Sequence, residues 1–197
     1  MFINRKTGEI NIKLVYYGPP LSGKTTNLEF IHHQTPGKQR GEMVSLKTKG
    51  DRTIFFDYMQ LELPSIRGMV PKFNLYTVPG QIAYAGTRKL VLQGADGVIF
   101  VADSQADRTQ DNLSSLVDLY QNLKAAGTDP QQVSLIVQFN KRDVENAAPV
   151  EDIRKSLHLD GYDIPTFKAV ASTGDGVLTT LKASIGAVMG RLQSASL

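Results

Sequence analysis

Lys24 and Thr25 close the pattern G-x-x-x-x-G-K-T, which runs from Gly18 through Pro19, Pro20, Leu21, Ser22 and Gly23 to Thr25. These residue types suit an anion with several oxygens. A tight, glycine-bounded loop presents successive backbone N–H groups as a nest for phosphate, with no bulk in the way. Leu28 and Ile31 follow at helical spacing, so the positive end of a helix dipole adds to the nest. Pro19 and Pro20 have no N–H to give. The donors are therefore the amides from Leu21 to Thr26, Ser22 among them. Gly23 permits close backbone approach. The Lys24 ammonium is expected at the β- and γ-phosphates, and the Thr25 hydroxyl at Mg²⁺.

Three further groupings complete a nucleotide site. Asn140-Lys141-Arg142-Asp143 ends an apolar run, and ligands of open α/β sheets bind at the carboxyl ends of strands. The Asp143 carboxylate can accept from guanine N1–H and the exocyclic amine, a donor pair that adenine lacks. The Lys141 stem can cover the base plane, and Asn140 can tie this loop to the phosphate loop. A later run ends in Ala171-Ser172-Thr173-Gly174-Asp175-Gly176. There the Ala171 N–H, with Ser172 beside it, is expected to cap guanine O6 and to leave donors facing donors with adenine. In Thr77-Val78-Pro79-Gly80-Gln81, Gly80 lets its amide approach and report a γ-phosphate, and Gln81 can orient the attacking water. Arg52-Thr53 opens another strand. Thr53 can complete the Mg²⁺ shell, and Arg52 can offset charge that develops in the transition state.

These residues sit on alternating strand and helix patterns, which predict a mainly parallel sheet with helices on both faces. Strands are expected at Ile10–Tyr17, Arg52–Leu63, Met69–Val78, Gly97–Asp103, Val133–Asn140 and Thr166–Ala171. The short gap at Pro64–Gly68 makes the second and third an antiparallel hairpin. The expectation is a six-stranded, mostly parallel sheet with one antiparallel edge strand. Helices are expected at Lys24–His33, Tyr84–Leu92, 108–126, Val150–Leu157 and around Leu178–Leu192. Residues 37–51 read as a basic loop that allows one short strand at Met43–Leu46. Asp103 reads as a polar strand end, and no spacing places it with Asp57. His32 and His33 suit the negative end of the first helix.

The chain has 197 residues, of which 41% are hydrophobic, with no cysteine and a net charge of +3. That length predicts one domain, residues 1–197. The absence of cysteine excludes disulfides, thiolate metal sites and Cys catalysis, and suits a reducing cytoplasm. No run approaches a membrane span, and neither end carries a lipidation signal, so no direct membrane anchor is expected. Lys38, Arg40, Lys47, Lys49 and Arg52 outnumber Glu42 and Asp51 in one segment. This cluster is small and lacks interleaved aromatics, so nucleic acid is not an expected partner.

The motifs taken together resemble the Ras-like small GTPases, and within them the bacterial MglA group, the mutual gliding-motility proteins. The resemblance rests on residues 16–19 and 22–28, on Asp51-Arg52-Thr53 with Phe55-Phe56-Asp57, and on Leu75 to Gln81. Phe100 to Ser104 and Asn140 to Asp143 complete it. It implies a P-loop NTPase fold of the Ras-like type and a GTP/GDP switch using Mg²⁺. It also implies slow intrinsic hydrolysis served by Arg52 and Gln81, and a Roadblock-domain, MglB-type GTPase-activating partner. Further implications are a role in cell polarity or motility, a cytoplasmic protein recruited to a pole, and a second strand that slides between nucleotide states.

Two departures stand out. Pro20 replaces the usual glycine at the third position of the loop, adding a ring and fixing φ; slower unaided hydrolysis is expected. Thr77, shared with the MglA group, replaces the acidic residue that usually helps hold Mg²⁺; either metal affinity is lower or Asp57 compensates. A nucleotide-responsive adaptor with little hydrolysis is the alternative these departures leave open.

Overall fold

The structure, a computed structural model, describes residues 2–47, 55–66, 68–80 and 84–195. Among these, one eight-stranded sheet forms the centre of the molecule. Its strands are β1 (Phe2–Asn4), β2 (Glu9–Tyr17), β3 (Val44–Lys47), β4 (Phe55–Glu62), β5 (Val70–Thr77), β6 (Gly97–Asp103), β7 (Ser134–Asn140) and β8 (Thr166–Lys168). The helices are α1 (Lys24–Gln34), α2 (Ala85–Leu92), α3 (Thr109–Ala125), α4 (Val150–Ser156) and α5 (Val177–Ala195).

The strands lie in the order β3-β4-β5-β2-β6-β7-β8, with β1 beside β2. β5, β2, β6, β7 and β8 run parallel. The antiparallel pairings are β1 with β2, β3 with β4, and β4 with β5. The mostly parallel sheet and the β4–β5 hairpin are as the patterns predict; the strand count is higher. β3 covers the outer side of β4, so β4 is an interior strand rather than the edge. β1 folds back because the Asn4 side chain accepts the Lys6 and Thr7 amides at 3.1 and 3.3 Å. A strand of three residues is too short to display an alternation, which is why the pattern hides it.

Alternation along β2 sends side chains to two separate cores. Val15 and Tyr17 face a core shared with Val91 and Leu92 of α2, Leu116 and Leu119 of α3 and Ile153 of α4. Ile12, Leu14 and Tyr16 face a second core with Leu28 and Ile31 of α1 and Leu181 and Val188 of α5. Helices thus cover both faces, and the central strands are largely apolar; every residue of β6 is buried. This arrangement leaves the carboxyl ends of β2, β5, β6 and β7 open to loops, at Tyr17, Thr77, Asp103 and Asn140.

Candidate nucleotide site

The loop after β2 turns directly into α1. Gly23 precedes the helix with φ of +97°, and no side chain caps the first turn, which also lacks an acidic residue. The first-turn amides therefore keep their hydrogens for an anion. The Lys24 side chain is buried, 7% exposed. Its ammonium donates to the carbonyls of Gly18 at 3.0 Å and Pro19 at 2.6 Å. These bonds hold it over the loop. Burial pushes this amine down to about 7, nearby Arg88 adds to the fall, and Asp57 opposes it. A cleft of about 530 Å³ opens here, lined by Pro20, Leu21, Gly23, Lys24, Thr25, Thr26, Thr77, Gly80 and Tyr84, among others. A larger cleft of about 870 Å³ lies at the start of β7, under Leu113, Val117 and Tyr120 of α3. It is remote from every motif.

The base-reading loop is bolted to the phosphate loop by one amide side chain. Asn140 Nδ2 donates to the Ser22 carbonyl at 2.7 Å, and Asn140 Oδ1 accepts the Ala171 N–H at 2.9 Å. A Cβ at position 23 would overlap Asn140 Nδ2. Gly23 is therefore required to make room for this bond, in addition to its place near phosphate. The Ala171 N–H, expected at guanine O6, donates here to Asn140 Oδ1. The physical reason is that a buried Asn carbonyl needs a donor. Ala171 thus forms the third side of a brace, and Ser172 beside it is exposed.

Lys141 has φ of +62°, and its ammonium pairs with Asp103 Oδ2 at 2.7 Å. Asp103 lies opposite Asn140 in the β6–β7 register, and its carboxylate is fully buried. Asn112 holds the backbone there, accepting from the Asp103 N–H and donating to its carbonyl. Asp103 is therefore more than a strand-end polar residue. It fixes the Lys141 stem, and sequence spacing gave no sign of that. Strand register, not separation along the chain, brings Asp103 and Lys141 together. Asp143 is exposed at the rim, where Arg142 steadies the loop by donating to the Ala148 carbonyl at 2.6 Å.

The cation side of the cleft is a cluster of hydroxyls around one carboxylate. Asp57 Oδ2 accepts from the Thr25 hydroxyl at 2.6 Å and from the Thr77 hydroxyl at 2.9 Å. Its Oδ1 accepts from Ser45 at 2.7 Å. Asp57 is 3% exposed. Thr25 gives its hydrogen to a carboxylate, so its oxygen lone pairs stay available to a cation. An all-oxygen donor set of this kind fits a hard ion such as Mg²⁺. Gly80 stands directly on the phosphate loop, since a Cβ there would overlap Pro20 and Pro19. Arg52, Thr53 and Gln81 lie outside the described residues. Tyr84 lines the cleft without having stood out in the sequence.

Residues 2–185 match the ADP-ribosylation factor family. The mutual gliding-motility protein MglA of Myxococcus xanthus is 50% identical over 192 residues, 98% of this chain and 97% of that protein. The chain is a Ras-like small GTPase of the MglA group. More distant members of the wider family are similar over most of their length. ADP-ribosylation factor-like protein 6 of Caenorhabditis elegans is 27% identical over 173 residues, 86% of this chain and 83% of its own. ADP-ribosylation factor-like protein 2 of Arabidopsis thaliana is 27% identical over 182 residues, 89% and 85%. Membership explains why a phosphate loop, a base-reading loop and a carboxylate at the cation side meet at one edge of a small-GTPase sheet. No helix among the described residues is long and apolar enough to cross a membrane.

Proposed function

We propose that this small GTPase hydrolyses GTP slowly on its own and faster with a Roadblock-domain, MglB-type partner, and that its nucleotide state sets cell polarity or motility. In this reading the protein is cytoplasmic and is brought to a cell pole by what it binds. The observation that carries the nucleotide part is the Asn140 bridge, which joins Ser22 of the phosphate loop to Ala171 beside the base-reading loop. A bridge of that kind lets one ligand feel both loops. The name of the Myxococcus xanthus relative supports the motility part.

The roles follow from chemistry at each position. Lys24 and the amides from Leu21 to Thr26 stabilise negative charge on the phosphates. Asp143 selects guanine, and Lys141, held by Asp103, covers the base. Thr25, with Thr53, would hold Mg²⁺, which when bound neutralises charge on the β- and γ-oxygens. Asp57 orients the Thr25 hydroxyl, the task that an acidic residue at position 77 would otherwise share. Gln81 positions the attacking water, and Arg52 offsets charge on the leaving oxygens. Gly80, resting on Pro20, is the sensor of the terminal phosphate.

The β3–β4–β5 margin is where such a state would be read. Met59 and Leu61 of β4 face the core while Tyr58 pairs with Tyr76. A slide of β4 keeps those faces only in steps of two residues, about 7 Å. One such step would take Asp57 away from Thr25. An adaptor that hydrolyses little is the second reading, favoured by Pro20, which fixes φ and adds a ring to the loop, and by Thr77 in place of an acidic residue. GTP turnover of the wild type, Arg52→Ala and Gln81→Leu, alone and with a Roadblock protein, decides between them. Partner-stimulated turnover that both substitutions abolish is the expected result. Turnover that ignores partner and substitutions alike would overturn it.

A further inference from the structure

Leu21 is an oddity in the phosphate loop. It is a branched residue with φ of +63° and it is 84% exposed, so no packing compensates for a backbone that L-residues avoid. Its neighbour Pro20 offers no N–H. The peptide between them is trans, since the described chain has no cis bond. In a planar trans peptide the carbonyl and the N–H point in opposite directions. The Pro20 carbonyl is held from outside the loop: Arg108, just before α3, donates to it through Nη2 at 2.9 Å. Asp111 fixes the other arm of that guanidinium at 2.6 Å. Among the described residues, no protein acceptor takes the Leu21 N–H, and Pro20 and Leu21 both line the cleft.

Two tendencies therefore oppose each other. Steric strain at Leu21 favours rotating the peptide to restore a negative φ. Rotation would swing the Pro20 carbonyl off Arg108 and turn an oxygen, in place of an N–H, toward the phosphates. Gly80 rests on the same Pro20, so the peptide lies next to the sensor of the outermost phosphate.

We propose that Arg108 is a positioning residue of the phosphate loop: by holding the Pro20 carbonyl from behind, it keeps the Leu21 N–H turned toward the polyphosphate. This rests on the nucleotide reading above and adds a residue that touches no nucleotide. Its effect is largest for the triphosphate, because the peptide faces the outer end of the site. Lys at position 108 keeps a charged donor for the same carbonyl. Gly at position 21 accepts a positive φ without strain and removes the need for a restraint.

The test compares wild type, Arg108→Ala, Arg108→Lys, Leu21→Gly and the Arg108→Ala/Leu21→Gly double variant. Fluorescent GDP and a fluorescent non-hydrolysable GTP analogue are the probes, and the HN–Hα coupling of residue 21 reports its φ by NMR without nucleotide. Arg108→Ala is expected to weaken the triphosphate analogue about ten-fold and GDP less, and to change the coupling. Arg108→Lys is expected to keep most of the affinity, and Leu21→Gly to recover what Arg108→Ala loses. An Arg108→Ala protein with unchanged coupling overturns the proposal whatever it binds. A loss that Leu21→Gly leaves in place also overturns it, and makes Arg108 a direct charge partner of the ligand. A wild type that binds neither probe would defeat the nucleotide reading, while the coupling would still judge the peptide.

Discussion

Asp57→Asn is the substitution that most directly questions the cation side of this site. The carboxylate accepts three hydroxyl hydrogens, from Thr25 at 2.6 Å, Thr77 at 2.9 Å and Ser45 at 2.7 Å. Asparagine keeps the shape, carries no charge and offers one acceptor oxygen where Asp57 offers two. The Thr25 hydroxyl then loses its charged partner, and its lone pairs are no longer held toward the metal. Removing an outer-shell partner of a metal ligand costs about 10–100-fold in affinity, or about 1.4–2.8 kcal/mol. The cost to the fold has two opposing parts. The lost charge-assisted bonds contribute about 1.5–3 kcal/mol each, but the desolvation of a carboxylate only 3% exposed is relieved at the same time.

The assay is the rate of fluorescent GDP release against Mg²⁺ concentration. Its midpoint is expected to rise about 10–100-fold in Asp57→Asn. Ser45→Ala is the control: it removes only the partner of Oδ1 and should leave the midpoint in place. Moving the charge provides a second check. Thr77 Oγ1 lies 2.9 Å from Asp57 Oδ2, so Thr77→Asp in the Asp57→Asn background should return much of the lost affinity. Thr77→Asp alone sets two carboxylates against each other and should destabilise the protein. A midpoint within two-fold of wild type in Asp57→Asn, with GDP still bound, would refute the reasoning.

Other expectations follow from single residues. Asp143→Asn should cost guanine preference, read as competition by xanthine against guanine nucleotides; an unchanged order of preference would remove Asp143 from the base site. In the nucleotide-free protein, burial lowers the Lys24 amine to about 7 from an ordinary 10.5. Between those values the unfolded chain holds more protons than the native one, so this group makes the nucleotide-free fold more stable as pH rises from 7 to 10.5. Phosphate should restore the charge, so GDP binding near pH 8.5 takes up about one proton, measured by calorimetry in buffers of different ionisation heat; zero uptake contradicts this. His158 ends α4 with φ of +52°, with its N–H on Lys155 and that of Leu159 on Arg154, both at 3.0 Å. Glycine suits that helix end, so His158→Gly should stabilise by about 1 kcal/mol and raise the melting temperature by about 2–4 °C; a fall would refute it.

The parts of this molecule that were legible in the sequence are those where chemistry and backbone geometry impose the same residues. The loop from Gly18 to Thr25 is one. Its glycines, lysine and threonine suit a phosphate and its metal ion, and the apolar run before it marks the strand that must deliver it. Asn140 was legible for a similar reason: a strand-end amide next to Lys141 and Asp143 has few other uses. The central strands showed as near-continuous apolar runs because parallel strands are buried on both faces. The short strand allowed at Met43–Leu46 is β3, Val44–Lys47, but its pairing on the outer side of β4 was not visible, and neither was β1. A strand of three or four residues is set by a turn and by its neighbour, and leaves no period to read.

What remained hidden in the site shares one cause, which also bears on how the switch works. Asp103 meets Lys141 because β6 and β7 pair in a register that sets Asp103 against Asn140. Asp57 meets Thr25 because β4 lies in a register that sets Tyr58 against Tyr76. Neither contact follows from separation along the chain. The two registers differ in what holds them. β6 and β7 are central and buried on both faces, so the Asp103–Lys141 pair is as fixed as the core. β4 lies between the short β3 and β5, with alternate side chains in the core, so only a step of two residues would keep that face turned inward. The base side of the site is thus built on the centre of the sheet, and the cation side on its margin. Asp57 reaches Thr25 from β4, so a change in the register of β4 would break that bond, which an acidic residue on β5 in place of Thr77 would escape.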